Sequence, residues 1–269
     1  MASMERPPLI PDQRRQKIMR LLATHEVLSV HQLTEMLGVS HMTVRRDIQE
    51  LERQGRAVSV TGGVRSAKGL NIEPSFDVKQ DIDQQEKAAI AAACAPMLRN
   101  GACYYLDAGT TTGALVPHLR ELGRVTVVTN DFSTLAAMTG DASITVIHVG
   151  GVLDHANRSS VGPLAARTLR ELAIDIAFIS ATSWDLAHGV TIPSSEKIEV
   201  KRAAMDSAAR SVLMSASSKY GLYSLYRVAA LSEFDVIATD AGLPEVAAEG
   251  IRNLGVELRN ADGAAQLGD

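Results

Sequence analysis

The sequence predicts an α/β protein in two parts: a winged helix-turn-helix domain at the N-terminus, then a larger, mainly parallel-sheet, Rossmann-like domain. Between residues 29 and 55, apolar positions recur at helical spacing and are interrupted once, at Gly38-Val39. From residue 102 onward, short apolar runs rich in β-formers alternate with helical stretches, the pattern of strands covered on both faces. Charge is divided along the same line. The 269-residue chain has a formal charge of −4, yet residues 1–68 carry 11 Lys or Arg against 7 Asp or Glu and the remainder is net −8. Positive charge gathered on one module favours phosphate contact there and repulsion elsewhere.

Residues 1–12, with Pro7, Pro8 and Pro11, read as a flexible leader. The helix-turn-helix domain is expected over 13–65. An amphipathic helix carrying Ile18, Leu21 and Leu22 comes first, and Val30, Leu33, Met36 and Leu37 mark a second. Ser29, with Gln32 three residues on, has the form of a capping box. Ser40 is placed to N-cap a third helix holding Val44, Ile48 and Leu51. Two short helices joined so tightly form the arrangement in which the second offers its N-terminal residues to base edges of double-stranded DNA. The candidate readers are Ser40, His41, Met42, Thr43, Arg45 and Arg46. Adjacent arginines at the start of a helix are poor candidates for burial. The alternation Ala57–Val60 before Gly62-Gly63 reads as a β-hairpin wing, on which Arg65 is a further candidate contact. A helical hairpin that never meets nucleic acid is the competing reading.

Residues 66–83, poor in apolar periodicity and containing Gly69 and Pro74, read as a linker. A helix is expected over Gln84–Leu98, shortened by Pro96. Strands follow at Ala102–Leu106, Val125–Thr129, Ile144–Val149 and Ile174–Ser180, with helices at Leu115–Leu122, Phe132–Met138 and Leu164–Leu172 between them. Ser211–Met214, Arg227–Leu231, Val236–Thr239 and Val256–Leu258 add strands, and Ser194–Ala209 and Leu243–Leu254 add helices. The sheet domain is expected over 84–260, with a frayed tail at 261–269. Cys94 and Cys103 have no metal-ligand spacing and read as free thiols of a cytoplasmic protein. No apolar run approaches the ~20 residues that span a bilayer, and neither a metal nor a cofactor is expected.

In open α/β sheets, ligands bind beyond the carboxyl ends of the strands. The residues expected there are polar: Asp107, Gly109, Thr110, Thr111 and Thr112 after the first strand, Thr129 and Asn130 after the second, Gly150 and Gly151 after the third, and Trp184 after the fourth. Glycines let backbone amides approach a ligand, and a helix start favours an anion such as phosphate or carboxylate. Lys219 would complement that charge. Each loop alone is equally readable as a capped turn. His155 and Arg158 are weaker candidates for the same cleft.

The run Arg14–Gly63 closely resembles the N-terminal domain of the DeoR family of bacterial transcriptional regulators, on Val39, Ser40, Thr43, Arg45, Arg46, Asp47, Leu51, Glu52, Gly62 and Gly63. The likeness continues through Asp107-Ala108-Gly109-Thr110-Thr111, Thr129-Asn130, Gly150-Gly151 and Ser217-Ser218-Lys219-Tyr220-Gly221. It implies an effector domain resembling the sugar-phosphate isomerase and CoA-transferase sheet fold. It also implies a phosphorylated sugar or sugar-acid effector, assembly into a homo-oligomer (dimer or tetramer), and repression of a carbohydrate operon. The chain departs from the family at Ser215-Ala216, where the family usually has an aspartate, and at Gly189–Pro193. The alternative is a sugar-phosphate isomerase-like enzyme with an appended DNA-binding module, in which Asp107 or Asp185 would supply the base. No second element completing such a catalytic set is visible, so a non-enzyme is expected.

Overall fold

The computed structural model describes residues 9–25, 27–54, 56–60, 63–66 and 73–261. The expected leader up to Pro8, the wing turn with Gly62, residues 67–72 of the expected linker, and the tail beyond residue 261 lie outside the described residues. The chain divides into two compact units at Lys68/Gly69.

The first unit contains α1 (Pro11–Thr24), α2 (Val30–Leu37), α3 (His41–Arg53) and the antiparallel pair β1 (Ala57–Val60) and β2 (Gly63–Ser66). The expected caps form. Ser29 Oγ accepts the Gln32 amide at 3.1 Å while Gln32 Oε1 accepts the Ser29 amide at 2.8 Å. Gly38 closes α2 in the left-handed region at φ +67°, which costs glycine no Cβ clash. Ile18, Leu22, Leu28, Leu33, Val44, Ile48, Leu51, Ala57 and Val64 make one core. Beside it lies a buried ion pair that the apolar pattern does not show: Arg14 on α1 forks onto Asp47 on α3, with Nη2 to Oδ1 at 3.0 Å and Nε on Oδ2. The glycine at 63 has a steric reason. Leu28 and Val64 exchange backbone hydrogen bonds of 2.9 and 2.8 Å, and a Cβ at Gly63 would stand 2.5 Å from the Leu28 carbonyl oxygen.

The second unit begins, among described residues, with α4 (Phe76–Asp81) and α5 (Gln84–Cys94). There follow β3 (Cys103–Leu106), α6 (Thr110–Gly113), α7 (Val116–Leu122), β4 (Val125–Thr129), α8 (Phe132–Met138), β5 (Ile144–His148), β6 (Val152–Asp154), β7 (Ser159–Val161) and α9 (Pro163–Arg170). The chain continues through β8 (Ile174–Ser180), β9 (Ser183–Asp185), β10 (Gly189–Ile192), α10 (Glu196–Asp206), β11 (Ala208–Met214), β12 (Tyr226–Ala229), β13 (Val236–Asp240), α11 (Glu245–Asn253) and β14 (Glu257–Ala261). Seven parallel strands form the main sheet in the order β14-β13-β11-β8-β3-β4-β5. Side chains alternate between two cores. Tyr104, Leu106, Val127, Phe178, Val212 and Val236 pack with α5 and α7 on one face. Tyr105, Val128, Ile179, Leu213 and Ile237 pack with α9, α10 and α11 on the other.

Two expectations are corrected. The stretch 73–83, expected as linker, contains α4 and packs within the second unit, Phe76 being 8 % exposed. The Arg227 strand joins β9 and β10 in a separate antiparallel sheet, order β12-β10-β9, because its partner is the hairpin after β8 rather than a parallel crossover. The connection from Gly150 to Gly162 forms the β6–β7 hairpin. As Pro96 implies, α5 ends at Cys94 and a short 3₁₀ turn over Ala95–Met97 replaces its last turn. No helix among the described residues is long and apolar enough to cross a membrane.

Candidate functional site

From β3 the chain winds outward through β4 to β5, then returns to lay β8 on the other side of β3. The order reverses between β3 and β8, and a crevice opens at such a switch point, beyond the carboxyl ends of the strands. Asp107 follows β3 and Ser180 ends β8. Asp107 is 1 % exposed. Its Oδ2 accepts the Ser180 amide at 3.0 Å and the Ser180 hydroxyl at 2.8 Å, and it also receives the Lys201 ammonium from α10. Lys201 donates in addition to the Ser180 carbonyl at 2.8 Å. Asp107 is therefore a buried strut between two strands and a helix. A Cβ on Gly109 would come within 2.9 Å of Ser180 Cβ, so glycine lets this loop lie against β8.

The loop is braced from β4 as well. Asn130 Oδ1 accepts the Ala108 amide at 2.9 Å, and Asp131 Oδ2 accepts the Gly109 amide at 3.0 Å. The Tyr105 hydroxyl lies 2.9 Å from Asn130 Oδ1, and burial, ahead of the Asp107 charge, pushes that phenol well above its usual range. Two amides expected to face a ligand are thus spent on the protein. Those of Thr110, Thr111 and Thr112 stand ahead of the first helical bond, Gly113 to Gly109 at 3.0 Å, and among the described residues take no backbone partner. The Thr112 hydroxyl donates to the Asp107 carbonyl at 2.6 Å, and that of Thr129 donates to the Leu106 carbonyl at 2.7 Å. Both are buried braces. An open cleft of about 390 Å³ runs beside the loop, lined by Phe76, Gln80, Thr110, Asp131 and Ser133 among others.

With Lys201, four further lysines gather near this end of the sheet, and of the five only Lys219 was expected. Lys219 Nζ donates to the Ala181 carbonyl at 2.9 Å. Burial, then repulsion from Lys79 and Lys87, lowers its pKa to about 8. Buried Lys87 gives its ammonium to the carbonyls of Lys79 and Ile82, and burial lowers it to about 8 as well. Lys79 and Lys197 share the Glu73 carboxylate at 2.9 and 2.7 Å, and their charges hold it near pKa 2 against its own burial. The turn bearing Lys219 is pinned on both sides. Ser217 donates to Asp240 through its amide at 2.7 Å and its hydroxyl at 2.6 Å, and Ser218 donates to Asp83 at 2.6 Å.

Other expected positions lie elsewhere. Trp184 is fully buried, edge-on to Tyr220 with ring centres 5.0 Å apart, and its carbonyl accepts the Gly221 amide at 2.9 Å. It packs beneath the Lys219 turn and leaves no face for a ligand. Gly150 and Gly151 leave β5, two strands from β3, and turn the chain into the β6–β7 hairpin. Arg158 on that hairpin pairs with Asp77 at 2.7 Å and covers the Phe76 ring, while His155 stays exposed. Asp185 is held by His188, Nδ1 to Oδ2 at 2.8 Å. Both carboxylates weighed as an isomerase base are therefore engaged by protein donors. Among the described residues no group of His, Cys, Asp or Glu is arranged to hold a metal.

In the first unit, α3 presents His41, Met42, Arg45 and Arg46 to solvent, Met42 at 75 % exposure. Among the described residues neither arginine meets a carboxylate. Ser40 accepts the Thr43 amide at 3.2 Å and its hydroxyl lies 2.9 Å from that of Thr43, so both hydroxyls fix the helix start. Arg65 is half-buried on β2.

A winged helix-turn-helix on the same chain as an α/β unit defines a class, the two-domain helix-turn-helix regulators. Residues 14–69 match the DeoR-like helix-turn-helix domain and residues 82–241 the DeoR C terminal sensor domain. The HTH-type transcriptional regulator YgbI of Escherichia coli is 44 % identical over 243 residues, covering 90 % of this chain and 95 % of that protein. The putative aga operon transcriptional repressor of Escherichia coli is 29 % identical, covering 91 % and 92 %. Ribose 5-phosphate isomerase A from Methanocaldococcus jannaschii overlays with a TM-score of 0.35 at 17 % identity, covering 50 % and 53 %, a likeness too slight to carry an argument. The chain belongs to the DeoR family of helix-turn-helix transcriptional regulators.

Proposed function

We propose that this regulator represses a carbohydrate or sugar-acid catabolic operon and is released by a phosphorylated sugar-type metabolite bound at the switch point of its sheet. The observation that carries the reading is the Lys219 ammonium. It donates to the Ala181 carbonyl just past the end of β8, with the charges of Lys79 and Lys87 pressing on it, and an anion is what relieves that repulsion. Phosphate suits the place because it offers several acceptor oxygens and up to two charges to lysines and backbone amides. The name of the aga operon relative places a repressor among this chain's homologues.

Arg45, Arg46, His41 and Met42 would read operator bases or phosphates from the exposed start of α3, with Arg65 on the wing. Two such heads in a homo-oligomer would span half-sites about one helical turn, ~34 Å, apart. Effector binding would favour a geometry in which the heads no longer fit, lowering operator affinity by the same free energy with which DNA opposes the effector. A thermal-shift screen of phosphorylated sugars and sugar acids tests the site, since a ligand of the folded state raises the melting temperature. A shift for a phosphorylated compound and none for its unphosphorylated parent is expected. No shift for any anionic sugar contradicts the reading.

A further inference from the structure

The segment that opens the second unit is clasped by its own charges. Glu73 lies a few residues past the boundary at Lys68/Gly69. Its side chain is 12 % exposed, with Lys79 at 2.9 Å and Lys197 at 2.7 Å. Lys79 also donates to Asn157 of the β6–β7 hairpin, and its carbonyl accepts the Thr110 hydroxyl at 3.4 Å and the Lys87 ammonium. Further along, Asp83 accepts from Ser218, the neighbour of Lys219. One stretch of chain therefore touches the anion loop, the hairpin and the lysine turn, and its anchor is a carboxylate seated among lysines.

A buried ion pair is a poor device for stability alone, since apolar residues of similar size do as well or better. It is a good device for exchange, because Lys79 cannot give its full charge to two anions at once. We infer that Glu73 is an internal stand-in for the ligand's phosphate: a phosphate monoester entering the lysine cluster at the switch point draws Lys79 to itself together with Lys87 and Lys219, and thereby unseats the segment Glu73–Asp81. This rests on the switch point being a phosphate site. Glu73 then stays with Lys197, which keeps Asp154 as a second partner at 3.0 Å. Lys87 and Lys219, which among the described residues have no carboxylate within ion-pair distance, supply the rest of the charge. Binding free energy is spent in moving the segment that follows, in sequence, the helix-turn-helix unit and its boundary at Lys68/Gly69.

The test uses the full-length chain with inorganic phosphate as probe, titrated calorimetrically into wild type and Glu73→Gln. Removing the competing carboxylate is expected to tighten phosphate binding by about tenfold or more, as a ligand gains when its competent state no longer has to be opened. Equal or weaker binding by Glu73→Gln overturns the exchange and leaves the switch point standing as a phosphate site. No phosphate uptake by either protein overturns both. Should the variant fail to fold, hydrogen exchange on wild type decides. The Phe76 and Lys79 amides, bonded to the Ala156 and Ser75 carbonyls at 2.8 and 3.0 Å, are expected to exchange faster with phosphate bound. Slower or unchanged exchange overturns the inference.

Discussion

Replacing Lys219 with Met is expected to stabilise the unliganded protein at pH 7 while abolishing its response to phosphorylated sugars. In the fold the ammonium is brought from 10.5 to about 8, by burial first and then by Lys79 and Lys87, with Asp83 and Glu73 offsetting part. At 1.36 kcal/mol per pH unit, keeping that group charged at pH 7 costs ~3 kcal/mol. Partial solvation reduces this, and the variant forfeits the hydrogen bond to Ala181, worth ~1 kcal/mol, so a net gain of ~1–2 kcal/mol is expected. The sign with pH follows from proton counts. Between about pH 8 and 10.5 the unfolded chain binds more protons at residue 219 than the fold does, so wild-type stability gains with rising pH through that window. The variant lacks this contribution, and its advantage should shrink above pH 8. Lys87 contributes in the same sense in both proteins. The buried Cys94 thiol, pushed up to about 12, opposes it in both above pH 9. The difference between the two proteins in urea unfolding at pH 7 and pH 9 is therefore the quantity to read. A variant less stable than wild type at pH 7, or an advantage independent of pH, would refute the reasoning.

Arg45→Ala or Arg46→Ala should weaken operator binding by ~1–3 kcal/mol in fluorescence anisotropy, while the thermal shift with effector stays intact. Gly109→Ala drives a methyl to within 2.9 Å of Ser180 Cβ; titration calorimetry should find effector binding weakened more than tenfold, with DNA binding retained. Gly63→Ala forces the Leu28–Val64 pair apart and should cost ~1–3 kcal/mol, seen as earlier unfolding of the first unit. Arg14→Met strands the buried Asp47 carboxylate and should cost ~3–5 kcal/mol, with proteolytic cleavage confined to residues before the boundary at Lys68/Gly69.

The helix-turn-helix was legible because caps, apolar period and the Gly38 break all agree, and each is a local signal. The parallel strands were legible because strands covered on both faces read as continuous apolar runs, and those at Val125–Thr129 and Ile174–Ser180 keep the expected limits. The β9–β10–β12 sheet was not, since its strands are three or four residues long and pair only through tertiary contacts. The lysines other than Lys219 were missed for a different reason: alone, a lysine reads as solvated. A signal existed. Lys87 precedes Ile90, Ala91 and Cys94 by three, four and seven positions, all buried, so it stands on the apolar stripe of α5. Lys197 and Lys201 are one turn apart on α10, the latter among buried Val200, Ala204 and Met205. The polar stretch after β3 was legible as a turn into a helix, but not the consumption of the Ala108 and Gly109 amides by Asn130 and Asp131, which no spacing reveals.

The most direct test measures full-length protein on the DNA upstream of its own gene, by anisotropy at physiological salt, against a scrambled duplex and with or without the phosphorylated sugar that raises its melting temperature. A preference of about a thousandfold or more is expected, falling at least tenfold when the sugar phosphate is present. Equal affinity for both duplexes, or a preference that the sugar phosphate leaves untouched, would contradict the coupling of a DNA-reading head to an anion-sensing sheet.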